Sequence, residues 1–245
     1  MRVGIIGAGA MGRAMARRAA RAGSIVRLAD RSAGRARLVA RETMAGTPGV
    51  VEASSIRAAL RPGLVILALD RADSLEFLRR HGRLLAGKVL VEVTAPRTDA
   101  YGTDAYGTDP CGADPCGADA YGTDPCAAGP CAAGGYGSGA SGAGMGDLMA
   151  AVPGASWVRA CAAGDAESIY RGLIDGHPVD IFVAADDESA KIRVIELANR
   201  SGLRALDAGR LDRARVLDEL TSLGREISHR LAAPEGWAIK LLPSW

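Results

Sequence analysis

The chain has 245 residues, 48% of them hydrophobic and only 4% aromatic, with a formal net charge of +2. That length holds one large α/β domain, or one with a small appendage, around a core of Ala, Val, Leu and Ile rather than rings. Near-neutral charge excludes the electrostatic footprint of a nucleic-acid binder, and no apolar run approaches the roughly 20 residues of a membrane span. The first strand opens at Arg2 with no leader ahead of it, which reads as a cytoplasmic chain. Its five cysteines are expected to stay reduced there.

In chain order, Val3 to Ile6 reads as a buried strand and Met11 to Ala22 as an Ala- and Arg-rich helix. Gly23 stands where a left-handed residue closes such a helix. Ser24 to Ala29 is a second strand and Ala33 to Glu42 a second helix, with further strands at Leu64 to Leu69 and Val89 to Val93. Strands alternating with helices imply parallel βαβ units and a doubly wound sheet.

From Tyr101 to about Gly144 the pattern changes to a period of five, with Tyr or Cys opening each unit and Asp at the fourth place of most. Five matches neither the helix nor the strand period. Gly and Pro punctuate every copy, so the segment reads as a low-complexity acidic insertion, disordered or loosely turn-forming. Its deletion from Tyr101 to Gly144 is expected to leave the fold intact. Regular structure resumes with strands at Trp157 to Ala160 and Asp180 to Ala184, and a helix from Glu188 to Asn199 ended by Ser201-Gly202. A strand at Leu203 to Leu206, a helix from Asp212 to Leu231 and an extended run from Trp237 to Leu242 complete the chain.

Gly7-Ala8-Gly9-Ala10-Met11-Gly12 fits the dinucleotide fingerprint G-x-G-x-x-G, set between a buried strand and a helix as its mechanism requires. The glycines allow the tight turn, the approach of a pyrophosphate and close helix–strand packing, while the helix N-terminus faces the phosphates. The fold expected is α/β, a Rossmann-like doubly wound parallel sheet with a helical C-terminal extension and a low-complexity insertion. Its parts are a dinucleotide-binding core over 1–97, the pentapeptide-repeat insertion over 98–146, and the rest of the sheet and extension over 147–245.

Asp30 follows the fingerprint by about twenty residues, where a carboxylate binds a ribose 2′-hydroxyl. Arg31 and Ser32 come next, and that pair suits a 2′-phosphate. The two cues conflict, so NADP and NAD both stay open. Ala68-Leu69-Asp70 and Thr94-Ala95-Pro96 lie at the strand ends where open α/β sheets bind ligands.

No acid/base constellation emerges, and no catalytic residue is assigned. Of His81, His177 and His229, the loop residue His177 is the strongest candidate. Hydride exchange between two bound cofactors needs orientation and exclusion of water more than a protein acid. Cys111/Cys116 and Cys126/Cys131 form C-x4-C pairs of admissible zinc spacing. They alternate with Tyr at one repeat position, as tandem expansion produces, so no metal site is assigned. Cys161 reads as a small buried residue.

Together the fingerprint and the C-terminal third resemble the coenzyme F420-dependent NADP oxidoreductase family. Asp180-Ile181-Phe182-Val183-Ala184-Ala185-Asp186-Asp187 is similar to that family's strand ending in Gly-Asp-Asp. Gly202 to Gly209, followed by Leu211 and Ala214-Arg215, resembles its next strand and helix start. Val93-Thr94-Ala95-Pro96 echoes a V-T-N-P segment with Ala95 in place of Asn. Val158-Arg159-Ala160 echoes V-K-A-F-N with Cys161-Ala162 in place of Phe-Asn.

The resemblance implies hydride transfer between a nicotinamide C4 and a deazaflavin C5, with the nicotinamide near Thr94 and Ala160. It also implies a 2′-phosphate contact at Arg31, after a Ser where this chain has Asp30. The cofactors expected are NADP, with NAD open, and coenzyme F420 as co-substrate. The partners expected are a small molecule or deazaflavin, neither nucleic acid nor membrane, and a second copy of the chain as homodimer. Two further readings are an imine or ketone reductase using the same cofactor half, and a non-catalytic dinucleotide-binding or interaction protein.

Overall fold

The computed structural model describes residues 1–93, 144–162, 164–232 and 236–242. Thr94, Ala95, Pro96 and the pentapeptide repeat with its four cysteines lie outside the described residues.

The N-terminal half runs β1 (Arg2–Ile6), α1 (Ala10–Arg21), β2 (Ile25–Ala29), α2 (Ala33–Met44), β3 (Val50–Ala53), α3 (Ile56–Ala59), β4 (Leu64–Leu67), α4 (Arg71–His81) and β5 (Val89–Glu92). After Gly144 come α5 (Met145–Ala151), β6 (Ser156–Ala162), α6 (Ala166–Arg171), a small hairpin β7 (Leu173–Ile174) and β8 (His177–Pro178), and β9 (Asp180–Ala185). Then follow α7 (Glu188–Arg200), β10 (Arg204–Asp207), a 3-10 turn over Leu211–Arg213 and α8 (Ala214–Arg230).

Among the described residues eight strands form one sheet in the order β10-β9-β6-β5-β4-β1-β2-β3. From β3 to β6 the strands are parallel, and β5 pairs with β6 in the register Val89↔Ser156 to Glu92↔Arg159. β9 runs antiparallel to β6, and β10 follows β9 in parallel. The sheet is therefore mostly parallel rather than wholly so. Strand direction depends on where the chain re-enters the sheet, which no local pattern encodes.

Successive residues of the strands feed opposite faces. In β4, Leu64 and Ile66 join the core under α1, α2 and α7, while Val65 and Leu67 join the one under α3, α4 and α5. Both faces are covered, so β4 and β5 are apolar almost throughout. Small Ala14, Ala16, Ala19 and Ala20 line the buried side of α1. They let the helix lie close to the sheet in a chain with few aromatic rings.

The expected run over Trp237 to Leu242 forms no strand, and its β-type pairing among the described residues is the isolated bridge of Ala238 to Gly164. Backbone donors just ahead of the run and within it go to side chains instead: Gly236 N–H to Asp165 at 2.7 Å and Leu241 N–H to Asp180 at 2.9 Å. Among the described residues no helix is long and apolar enough to cross a membrane.

Candidate functional site

The order reversal between β1 and β4 marks the switch point at which open α/β sheets bind ligands. The fingerprint turn sits there. Gly7 has φ +102°, and a Cβ on it would lie 2.4 Å from the Ala68 carbonyl oxygen. A Cβ on Gly12 would lie 1.9 Å from the Gly7 carbonyl oxygen, so the helix can enter only with glycine there. The space beside Gly9 is open. Gly9 begins α1 with no side-chain cap and no acidic residue in the first turn, which leaves backbone N–H groups and the positive helix end for an anion.

Around this turn lies a cleft of about 390 Å³, whose lining includes Gly7, Gly9, Asp30, Arg31, Ala68 and Leu69. Asp30 accepts from the Ala8 N–H and the Ser32 N–H, each at 2.8 Å, so the carboxylate ties the fingerprint turn to the end of β2. Ser32 caps α2 by accepting from the Arg35 N–H at 3.3 Å. Arg31 and Arg35 are exposed at the rim and supply positive charge beside that carboxylate. Ala10 is exposed at the first helical position.

A second cleft, of about 290 Å³, lies on the other side of the α1 first turn. Met11, Val93, Cys161 and Ala162 line it together with Thr221, Arg225, His229 and Trp237. Thr221, Arg225 and His229 are spaced four apart and so share one face of α8. The Trp237 ring packs over Gly224 of the same helix. Burial pushes the Cys161 thiol up, and it lies 2.8 Å from the Thr221 hydroxyl. It stays a protonated, packed thiol rather than a nucleophile.

Beneath this cleft the buried side chains of Arg71, Glu92 and Arg159 meet the partly buried Asp218. Arg159 is fully buried: its Nε lies 3.2 Å from Glu92 Oε2 and its Nη2 3.0 Å from Asp218 Oδ1. Its Nη1 donates to the carbonyls of Glu92 at 3.1 Å and Ala160 at 3.2 Å. Arg71 closes the ring, 2.7 Å from Asp218 Oδ2 and 3.4 Å from Glu92 Oε2. Burial works against the Arg159 charge, but the carboxylates of Glu92 and Asp218 outweigh it and hold the guanidinium above its ordinary value.

The structure thus brings Gly7, Gly9, Ala10, Met11, Gly12, Asp30, Arg31, Ser32, Ala68 and Leu69 together at one sheet edge. Ala160 is not with them: it is 6% exposed and packs into the core beneath α1 and α7. Cys161 and Ala162 reach the second cleft in its place. His177 sits exposed in the β7–β8 hairpin, whereas His229 lines the cleft. The i, i+4 spacing of Thr221, Arg225 and His229 was the sequence signal for that wall.

The family profile described as NADP oxidoreductase, coenzyme F420-dependent, matches residues 2–96. A segment of 45 residues is 47% identical to the F420-dependent NADP reductase of Methanocaldococcus jannaschii, covering 18% of this chain and only 20% of that relative. A solved structure from Arthrobacter sp. FB24, provisionally assigned as an F420-dependent NADP reductase, superposes with a TM-score of 0.66 at 20% identity. That superposition covers 98% of this chain and 100% of the other. An imine reductase from Pseudomonas sp. gives a TM-score of 0.59 at 17% identity over 94% of this chain and 63% of its own. At such identities these structures share the fold. Over residues 2–96 the chain is similar to the coenzyme F420-dependent NADP oxidoreductase family.

Proposed function

We propose that this protein is an oxidoreductase passing hydride between NADP(H) and a deazaflavin of the coenzyme F420 type. The observation that carries the reading is the fingerprint turn: an uncapped helix start without acidic side chains, an open flank at Gly9, and a cleft running from there to Arg31. Those features fit a dinucleotide, with its pyrophosphate on the N–H groups of α1 and a 2′-phosphate at Arg31.

When bound, NADPH supplies a hydride from its C4, which an oxidised deazaflavin takes at C5 while a proton comes from solvent. The chain's own part is binding, orientation and exclusion of water. Met11 and Val93 wall the second cleft on the dinucleotide side, and Trp237 offers a flat apolar surface to the acceptor. Arg225 and His229 line the same cleft with positive charge or hydrogen-bond donors. In this reading the working parts are the cofactor core over 1–97 and the acceptor wall from the segment 147–245. The protein would act in the cytoplasm, with a second copy of the chain as its partner.

A titration with NADPH and NADH, followed by oxidised coenzyme F420 under visible absorbance, tests this. Bleaching driven by NADPH is the expected result. Binding without bleaching would remove the deazaflavin and leave a reductase of imines or ketones, the reading that the imine reductase likeness favours. Failure to bind either dinucleotide would overturn the proposal.

A further inference from the structure

The buried ring of Arg71, Glu92, Arg159 and Asp218 touches neither cleft with a free group. Arg159 lies against the second cleft, yet all three of its guanidinium nitrogens are engaged inside the protein. Each member comes from a different element. Arg71 is the first residue of α4, next to Asp70 of the dinucleotide cleft. Glu92 is the last residue of β5, next to Val93 of the second cleft. Arg159 stands opposite Glu92 in the β5–β6 register, two residues before Cys161. Asp218 lies on α8, one turn before the Thr221–His229 wall.

Two cations and two carboxylates make the ring neutral; Glu92 and Arg159 are wholly out of water, while Arg71 and the partly buried Asp218 border a third cleft. An apolar set of the same volume would stabilise the fold at least as well. What a charged ring adds is directional geometry, because its hydrogen bonds fix both distance and angle.

We propose that Arg71, Glu92, Arg159 and Asp218 are positioning residues: the ring holds α8, and so the acceptor wall, at a set distance from the strand ends and the α4 turn that border the dinucleotide cleft. This rests on the dinucleotide reading above. A displacement of the order of 1 Å between reacting groups slows a transfer by about a hundredfold. The ring therefore governs rate and exclusion of water at the nicotinamide end, while affinity depends on the fingerprint turn.

Two variants test it. Asp218→Asn leaves a positive charge uncompensated, and Asp218→Glu restores the charge with a longer arm. Should Asp218→Asn fail to fold, Arg71→Met combined with Asp218→Leu removes one charge of each sign and keeps the cluster neutral. NADPH affinity, the emission and lifetime of bound NADPH, and single-turnover reduction of coenzyme F420 are measured below the melting temperature of every variant.

We expect NADPH affinity within about threefold of wild type, weaker and shorter-lived bound emission, and transfer slowed at least about tenfold, with partial recovery in Asp218→Glu. A folded variant that has lost only melting temperature, with wild-type emission and rate, would reduce the ring to a structural device and overturn the proposal. Where the wild type binds NADPH but does not reduce the deazaflavin, the acceptor reading fails and the emission alone decides for or against the ring. A wild type that binds no NADPH overturns the dinucleotide reading and this inference with it.

Discussion

At the scale of single residues, the sequence poses a conflict between Asp30 and Arg31, and the structure gives the two separate tasks. Asp30 accepts two backbone N–H groups and organises the turn, while Arg31 is exposed at the cleft rim. Arg31→Ala is therefore expected to weaken NADPH about tenfold, or about 1.4 kcal/mol, with NADH affinity unchanged, as a pair of titrations would read. A second residue-scale expectation lies away from the clefts. Gly172 has φ +75°, and a Cβ there would lie 2.0 Å from Nη1 of Arg18. That arginine donates to the carbonyls of Tyr170 at 2.6 Å and Ser201 at 3.1 Å. Burial and its neighbours Arg21 and Arg17 lower its pKa to about 10, and the hydrogen bonds to those two carbonyls resist its moving aside. Gly172→Ala should lose more than about 1 kcal/mol in denaturant unfolding. The fingerprint glycines were legible in the sequence because each answers a local demand. The ring of Arg71, Glu92, Arg159 and Asp218 was not, because its members meet only after the sheet has assembled.

At the scale of elements, α1, α2, α7, α8 and the strands at 2–6, 25–29 and 180–185 were legible from apolar period and end signals. β3 was missed because it is only four residues long and just one of them, Val51, is buried. The β7–β8 hairpin was missed because two residues per strand show no alternation. The tail over 236–242 was legible as extended but not as a wall of the cleft, since its anchors are distant carboxylates. Asp180 is the main one, accepting from Arg204, from Lys240 Nζ at 3.0 Å and from the Leu241 N–H. Burial alone would raise its pKa, but these donors prevail and hold the carboxyl below the usual carboxylate range. The unfolded carboxyl titrates within that range, so the anchor contributes stability above it and loses it as pH falls through the lower folded value. Hydrogen exchange at the Leu241 amide should accordingly be protected at neutral pH and lose protection only once the pH falls below the usual carboxylate range. Asp180→Asn should expose that amide at neutral pH.

At the scale of the whole molecule, the described residues build a sheet in which β5 and β6 are direct parallel neighbours, although residues 94–143 separate Val93 from Gly144. Gly144 itself belongs to the fold, since its N–H donates to Asp147 at 2.7 Å at the start of α5. Leu148 of that helix is fully buried. A deletion of 101–143 that spares Gly144 is expected to keep the melting temperature within a few degrees, whereas one that reaches α5 should lower it clearly; calorimetry distinguishes the two. The mostly parallel architecture was legible from the alternation of strands and helices, but the reversal at β9 was not.

The parallel pairing of β5 with β6 also bears on inheritance. A five-residue unit is encoded by fifteen nucleotides, so slippage during replication adds or removes whole units without shifting the reading frame. Because the lengthening falls between two strands already joined to each other, each new allele reaches selection with its sheet already complete. Isolates of one lineage are then expected to differ by multiples of five residues in this interval while the flanking strands keep their lengths.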